Sequence, residues 1–140
     1  MPYGVQYPDV VDLIAYRPAT NEVALIMIEE RPWNDSQQRL LEIQNKVHNY
    51  VGYAKDGQFE KAYNEYSGKL VCIELHCMEN PPEPVMRFLD ELNGRLSPYG
   101  IEMRVVVVKL ISKPNPIPIY PWPKHIISWL SNLFSRAERN

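Results

Sequence analysis

The residues of this chain whose types could do chemistry cluster in one short apolar stretch, where Cys72, Glu74, His76 and Cys77 follow one another. A thiol beside an imidazole can form a nucleophile pair, and thiol, imidazole and carboxylate are all metal ligands. The surrounding pattern is that of a strand, which puts Cys72, Glu74 and His76 on one face with about 13 Å between the outer two. That span is too long for one tetrahedral zinc, and a Cys–His pair would need a bend to close it. Cys77 falls on the opposite face from Cys72, so a disulfide between them is geometrically unfavourable. The simpler reading is a core thiol and a strand-end histidine. Asp9 and Asp12, three positions apart on an extended segment, point to opposite sides. They read as a turn residue and a sheet-edge residue rather than as carboxylates sharing a proton. No glycine-rich phosphate loop, GxSxG, HExxH or CxxC motif occurs. The sequence therefore assigns no catalytic residue, metal ligand or cofactor, and an enzyme is the less favoured class.

Residues suited to recognition are easier to find. Gln44 and His48 lie one helical turn apart, as do Asn45 and Asn49, with Tyr53 one further turn along from Asn49. On the predicted helix they make a polar face opposite the core stripe, either a recognition surface or a solvated flank. Trp33 stands beside Glu29, Glu30 and Arg31, as an anchor for a partner or as a plug for the end of the core. Nine tyrosines are the one compositional excess, and tyrosine suits interfaces because an apolar ring carries a polar tip.

The elements that must position these residues follow from periodicity. Strands are predicted over 10–16 and 22–28, joined by Pro18-Ala19-Thr20-Asn21 as a hairpin. Leu40, Ile43, Val47, Tyr50, Val51 and Ala54 recur at helical spacing, and Asp56-Gly57 ends that helix. Phe59, Ala62, Tyr63 and Tyr66 suggest a second, short helix. A strand over 70–76, a helix opened by Pro84 and a strand over 101–110 complete the order β-β-α-α-β-α-β. This is an α+β domain over 1–110, a four-stranded antiparallel or mixed sheet with helices on one face. The strands are apolar on both faces, however: Val23, Leu25 and Met27 oppose Ala24, Ile26 and Ile28. Helices between the strands cover one face only, so the other needs cover of its own.

Composition changes after residue 110. A proline-rich arm over 111–123 contains Pro114, Pro116, Pro118, Pro121 and Pro123, interleaved with Tyr120 and Trp122. It favours an extended polyproline path with little to offer a sheet ladder. A terminal amphipathic helix over 124–140 presents Ile126, Trp129, Leu130, Leu133 and Phe134 as its apolar stripe. It folds back over the bare sheet face, reaches across to a second copy, making a homodimer through arm and helix, or docks to a different protein or a membrane surface. These residues, with Trp33, Gln44, His48, Asn49 and Tyr53, are the candidate partner contacts.

The 140 residues carry a net charge of −2 without a basic stripe, which argues against a nucleic-acid partner. The longest apolar run, 105–108, is far too short to span a membrane. The first residues have neither the basic nor the apolar region of a secretory signal, and free thiols fit a reducing compartment, so the cytoplasm is expected.

The segment Pro8-Asp9-Val10-Val11-Asp12-Leu13-Ile14-Ala15, the hairpin ending in Pro32-Trp33, and Leu41-x-x-Gln44-x-Lys46-x-x-Asn49-Tyr50 followed by Gly57-Gln58 together resemble a family of small uncharacterised bacterial proteins. The likeness covers residues 8 to 108 and implies a compact α+β domain with no assigned activity. The leading expectation is a non-enzymatic protein-binding or self-assembly module, acting through a protein partner or itself. The alternatives are an immunity or antitoxin-type inhibitor and a small enzyme built on Cys72, His76 and Glu74.

Overall fold

The structure is a computed structural model that describes residues 1–34 and 36–120. The predicted terminal helix and the last residues of the arm, with Trp122, Ile126, Trp129, Leu130, Leu133 and Phe134, lie outside the described residues.

Strands and helices alternate much as the hydrophobic periodicity requires. A short strand β1 (Val10–Val11) and β2 (Leu13–Arg17) are followed by β3 (Glu22–Glu29), α1 (Ser36–Lys55), α2 (Gln58–Ala62) and β4 (Leu70–Cys77). Then come α3 (Glu83–Leu96), β5 (Glu102–Val107) and a second short strand β6 (Ile117–Pro118). The hairpin between β2 and β3 turns on Asn21, whose φ of 54° lies in the left-handed region that asparagine tolerates. Gly57, at φ 95°, stands between α1 and α2 at the predicted break. Pro84 sits in the first turn of α3, where its missing N–H costs nothing.

The main sheet has the order β2-β3-β4-β5. β2 and β3 are antiparallel, whereas β4 runs parallel to both β3 and β5. The sheet is therefore mixed, with the helices returning the chain between parallel strands. Val23, Leu25, Met27, Ile73, Leu75 and Met103 face the helices and pack with Ile43, Val47, Tyr50 and Val51 of α1 and Val85, Leu89 and Leu92 of α3. The opposite face is apolar too: Ala24, Ile26, Ile28 and Cys72 form a separate buried cluster, with Tyr3, Leu13, Ala15 and Ile111 packed against it. Both faces thus need cover, as the strand pattern demands, and among the described residues the N-terminal segment and the start of the arm supply part of it.

Two features differ from expectation. The predicted strand over 10–16 is broken at Asp12, so β1 turns away from the main sheet. The arm also enters a ladder: β6 pairs antiparallel with β1, Val10 opposite Pro118 and Val11 opposite Ile117. Prolines cannot donate, but their neighbours can, and Asn115 and Ile119 donate backbone N–H groups to Asp12 and Asp9 carbonyls at 2.9 and 2.8 Å. The arm from 111 to 120 is accordingly strapped along the first strand, with Ile117 and Ile119 packed on the main core.

Candidate functional site

Three groupings of polar or aromatic side chains stand out, and they differ in what they can do. The first explains the break in the first strand. Asp12 and Lys46 are both fully buried, Nζ to Oδ1 2.8 Å. The Asp12 carboxylate also accepts the Gly4 N–H at 3.0 Å and the Ile28 N–H at 2.8 Å. Lys46 donates in addition to the carbonyls of Gly4 and Tyr7, at 2.9 and 2.6 Å. The Tyr50 hydroxyl closes the network, accepting the Asp12 N–H at 3.0 Å and donating to the Ile26 carbonyl at 2.7 Å. Burial pushes Lys46 below its usual value and Tyr50 well above its own. Gly4 makes this possible with a φ of 119°. Every partner is inside the protein, so the cluster binds the N-terminal segment to α1 and offers nothing to a ligand. Asp12 was expected at a sheet edge; it is interior because Lys46, 34 positions away, meets it there.

The second grouping lies on the sheet face away from the helices. Register places Ile26, Glu74 and Arg104 side by side across β3, β4 and β5. Glu74 Oε1 meets Arg17 Nη2 at 2.6 Å and His76 Nε2 at 2.9 Å, and Oε2 lies 3.9 Å from Cys72 Sγ. Arg104 pairs with Glu22 at 2.6 and 2.9 Å and with Glu102 at 2.9 Å. Cys72 and His76, expected to be too far apart to cooperate, do converge, each on the carboxylate between them. The electrostatics oppose nucleophilic chemistry. Burial, reinforced by Glu74, pushes the Cys72 thiol up to about 12, so it stays protonated. The hydrogen bond from His76, with Arg17 beside it, pulls Glu74 down to about 2. Among the described residues no group of three or more His, Cys, Asp or Glu side chains is placed to hold a metal ion.

The third grouping is aromatic. Tyr16 of β2 stacks on Tyr66 at 5.5 Å, and Tyr66 stacks on Tyr63 at 5.8 Å and on Phe59 at 6.3 Å. Phe59 meets Tyr53 edge-on at 5.9 Å. Lys69 caps the outer end, its Nζ 5.1 Å from the Tyr16 ring centre and 2.9 Å from Asn21 Oδ1. Tyr63 and Tyr66 are half-buried, and Tyr16 is exposed beside them. At the inner end the column borders a cleft of about 400 Å³ between α2 and the arm, lined by Tyr53, Lys61, Ala62, Ile117, Pro118 and Tyr120. Gln58 holds the arm there, donating to the Tyr120 carbonyl at 2.8 Å and accepting its N–H at 2.9 Å. Five of the nine tyrosines therefore meet at this corner: Tyr16, Tyr53, Tyr63, Tyr66 and Tyr120.

The residues singled out from sequence are dispersed by the fold. Trp33 is half-buried, its indole N–H bonded to the Glu79 carbonyl at 2.9 Å and its ring 5.1 Å from the Arg39 guanidinium. The polar flank of α1 is not the solvated face that its composition suggests. Gln44 and Tyr53 are buried, and His48 and Asn49 half-buried, with Asn49 donating to the Pro8 carbonyl at 2.7 Å. The N-terminal segment lies on that side of the helix, where Lys46 and Asn49 bond the carbonyls of Gly4, Tyr7 and Pro8. Tyr53 and Tyr120 do meet, across the cleft. The functional-looking residues that periodicity passed over are Lys46, Arg17 and Arg104. The available signal was a charged residue interrupting an apolar strand or helix stripe.

A mixed four-stranded sheet backed by helices, with polar groups paired mainly to one another and aromatic residues gathered at one corner, defines a small α+β domain. It carries no recognised catalytic motif. The chain belongs to a family of unknown function, DUF6572, whose model matches residues 3–109. That match stops short of β6 and of Tyr120. No curated protein and no solved structure matches the chain. Among the described residues no helix is long and apolar enough to cross a membrane.

Proposed function

We propose that this chain is a non-enzymatic protein-binding or self-assembly module whose contact surface is the aromatic corner formed by β2, α2 and the turn that follows it. The observation that carries the reading is the stacked column of Tyr16, Tyr66, Tyr63 and Phe59, with Tyr16 exposed at its outer end. Aromatic side chains dominate the energetics of interfaces because they desolvate a large area at low conformational cost. Stacking fixes the rings in place before a partner arrives, which lowers the ordering cost of association. The nearby charge of Lys69 would belong to the polar rim that such contacts carry.

Site-specific photo-crosslinking tests this directly. A photoreactive phenylalanine analogue at Tyr66 is expected to yield a discrete crosslinked species, either a second copy of the chain or another single protein. The same analogue at Glu91, on the exposed side of α3, is expected to yield none. Sedimentation velocity of the purified chain then separates the two partners: self-assembly predicts a concentration-dependent dimer that Tyr16→Ser with Tyr66→Ser abolishes. Equal crosslinking at both positions, together with a monomer at all concentrations, would remove the proposal.

A further inference from the structure

The Tyr53 hydroxyl is buried and has no hydrogen-bond partner among the described residues, in a side chain only 2% exposed. Such orphaned groups are rare in folded proteins, because an unpaired buried hydroxyl forfeits its hydration without recompense. Tyr53 lines the cleft of about 400 Å³ between α2 and the arm, a size within the range of small-molecule sites. The chemistry of the lining is one-sided. Gln58 is saturated by Asp56 and by both backbone groups of Tyr120. The Lys61 ammonium, on the rim, has no ion-pair partner among the described residues. The groups beside the cleft with hydrogen bonds to spare are therefore donors, the Tyr53 phenolic O–H and the Lys61 ammonium, with Ala62, Ile117, Pro118 and Tyr120 completing the lining.

We infer that this cleft is a binding site for a small carboxylic acid with a flat apolar body. The carboxylate would accept from Tyr53 and lie near Lys61, while the body would stack against Tyr120 and Pro118. The tyrosine is suited to donate: burial pushes it up to about 12, so it keeps its proton at neutral pH. This site goes beyond the protein-binding surface, which uses the outer end of the aromatic column, and it does not depend on that surface being an interface.

Isothermal titration calorimetry on the full chain, with indole-3-acetate and benzoate against indole-3-acetamide and benzamide as probes, tests the inference. The acids are expected to bind, and the matching amides to bind about tenfold more weakly or not at all. Tyr53→Phe and Lys61→Gln should each weaken acid binding about tenfold. Tyr53→Phe should leave the urea midpoint of the free protein unchanged or raised, because it removes a group that has no partner to lose. A lowered midpoint would mean that the hydroxyl serves the fold instead. Acids and amides binding alike, or no probe binding at all, would overturn the proposal. Acid binding that appears only in full-length Trp122→Ala would overturn it too, by showing that the chain's own next residues fill the cleft.

Discussion

The two charged clusters of this protein, Asp12 with Lys46 and Glu74 with its arginines, are alike in their short ion pairs and differ in physical character. Asp12 and Lys46 are both fully enclosed, and the Lys46 ammonium has three acceptors within 2.9 Å. Glu74 is equally buried, but its partner Arg17 keeps 43% of its side chain exposed and Arg104 keeps 32%. The first pair sits where water cannot compensate a loss; the second has partners that water can re-solvate. Saturation and enclosure together mark the first as architecture. The second is a charged margin along a sheet face, strong in number of contacts and weak per contact.

The largest expected effect follows from that difference. Lys46→Met leaves the Asp12 carboxylate buried with only its backbone donors, and should cost about 3–5 kcal/mol of stability by urea denaturation. Adding Asp12→Leu to Lys46→Met removes the stranded charge and should recover a large part of the loss, although the Gly4 and Ile28 N–H groups then lack an acceptor. If Lys46→Met costs no more than a surface substitution, the enclosed pair does not hold the N-terminal segment to α1.

An intermediate effect is expected from pH. The Glu74 carboxyl titrates at about 2 in the folded chain against its ordinary 4.5. The folded value is the lower one, so the unfolded chain takes up the proton first on acidification. The contribution of Glu74 is complete above pH 4.5 and is lost as pH falls from there towards about 2. Glu22 and Glu102, both lowered chiefly by their hydrogen bonds to Arg104, act in the same direction. Glu74→Gln should cost about 2 kcal/mol at pH 7 and flatten the decline of stability below pH 4.5. An unchanged acid limb would break the assignment of that decline to this face. Arg17→Gln comes next in size. It removes a half-exposed partner and should cost less than about 1 kcal/mol, an effect reduced further by salt.

The same contrast explains what could be read from the sequence. The doubly apolar strands were legible because alternation is a local signal, and Ala24, Ile26 and Ile28 are indeed buried on the face away from the helices. Turns and helix ends were legible where Asn21, Gly57 and Pro84 dictate backbone geometry. The mixed sheet stood among the predicted alternatives, and register decided between them. Asp12 was misplaced because its counter-ion comes from α1, and no periodicity links a strand position to a helix position that far away. Arg17, Glu22 and Arg104 were not connected to Glu74 for a related reason. Their meeting depends on which strands neighbour each other, and strand order is a property of the fold. The gathering of tyrosines followed the same rule: their number was visible and their common corner was not.

The smallest expected effect is a null result, and it sharpens the comparison most cheaply. Cys72 belongs to the charged sheet face, flanked by Glu74 and Arg104, whereas Cys77 lies one strand end away with the Val106 carbonyl 3.9 Å from its sulfur. Burial pushes both thiols up, to about 12 and about 11, with Glu74 adding to the effect at Cys72 and Glu29 at Cys77. Both are free and enclosed. At pH 8 only a minute fraction of either exists as thiolate, so the native chain should take up no iodoacetamide over an hour by intact mass, while the urea-unfolded chain takes up two equivalents. Graded urea should release both labels together with global unfolding if the sheet opens as one unit. Selective labelling of Cys72 in the absence of denaturant would show that the charged face opens on its own while the Asp12–Lys46 side stays shut. It would also give back to Cys72 the reactivity that burial and Glu74 suppress, and with it the basis for an enzyme at Glu74 and His76.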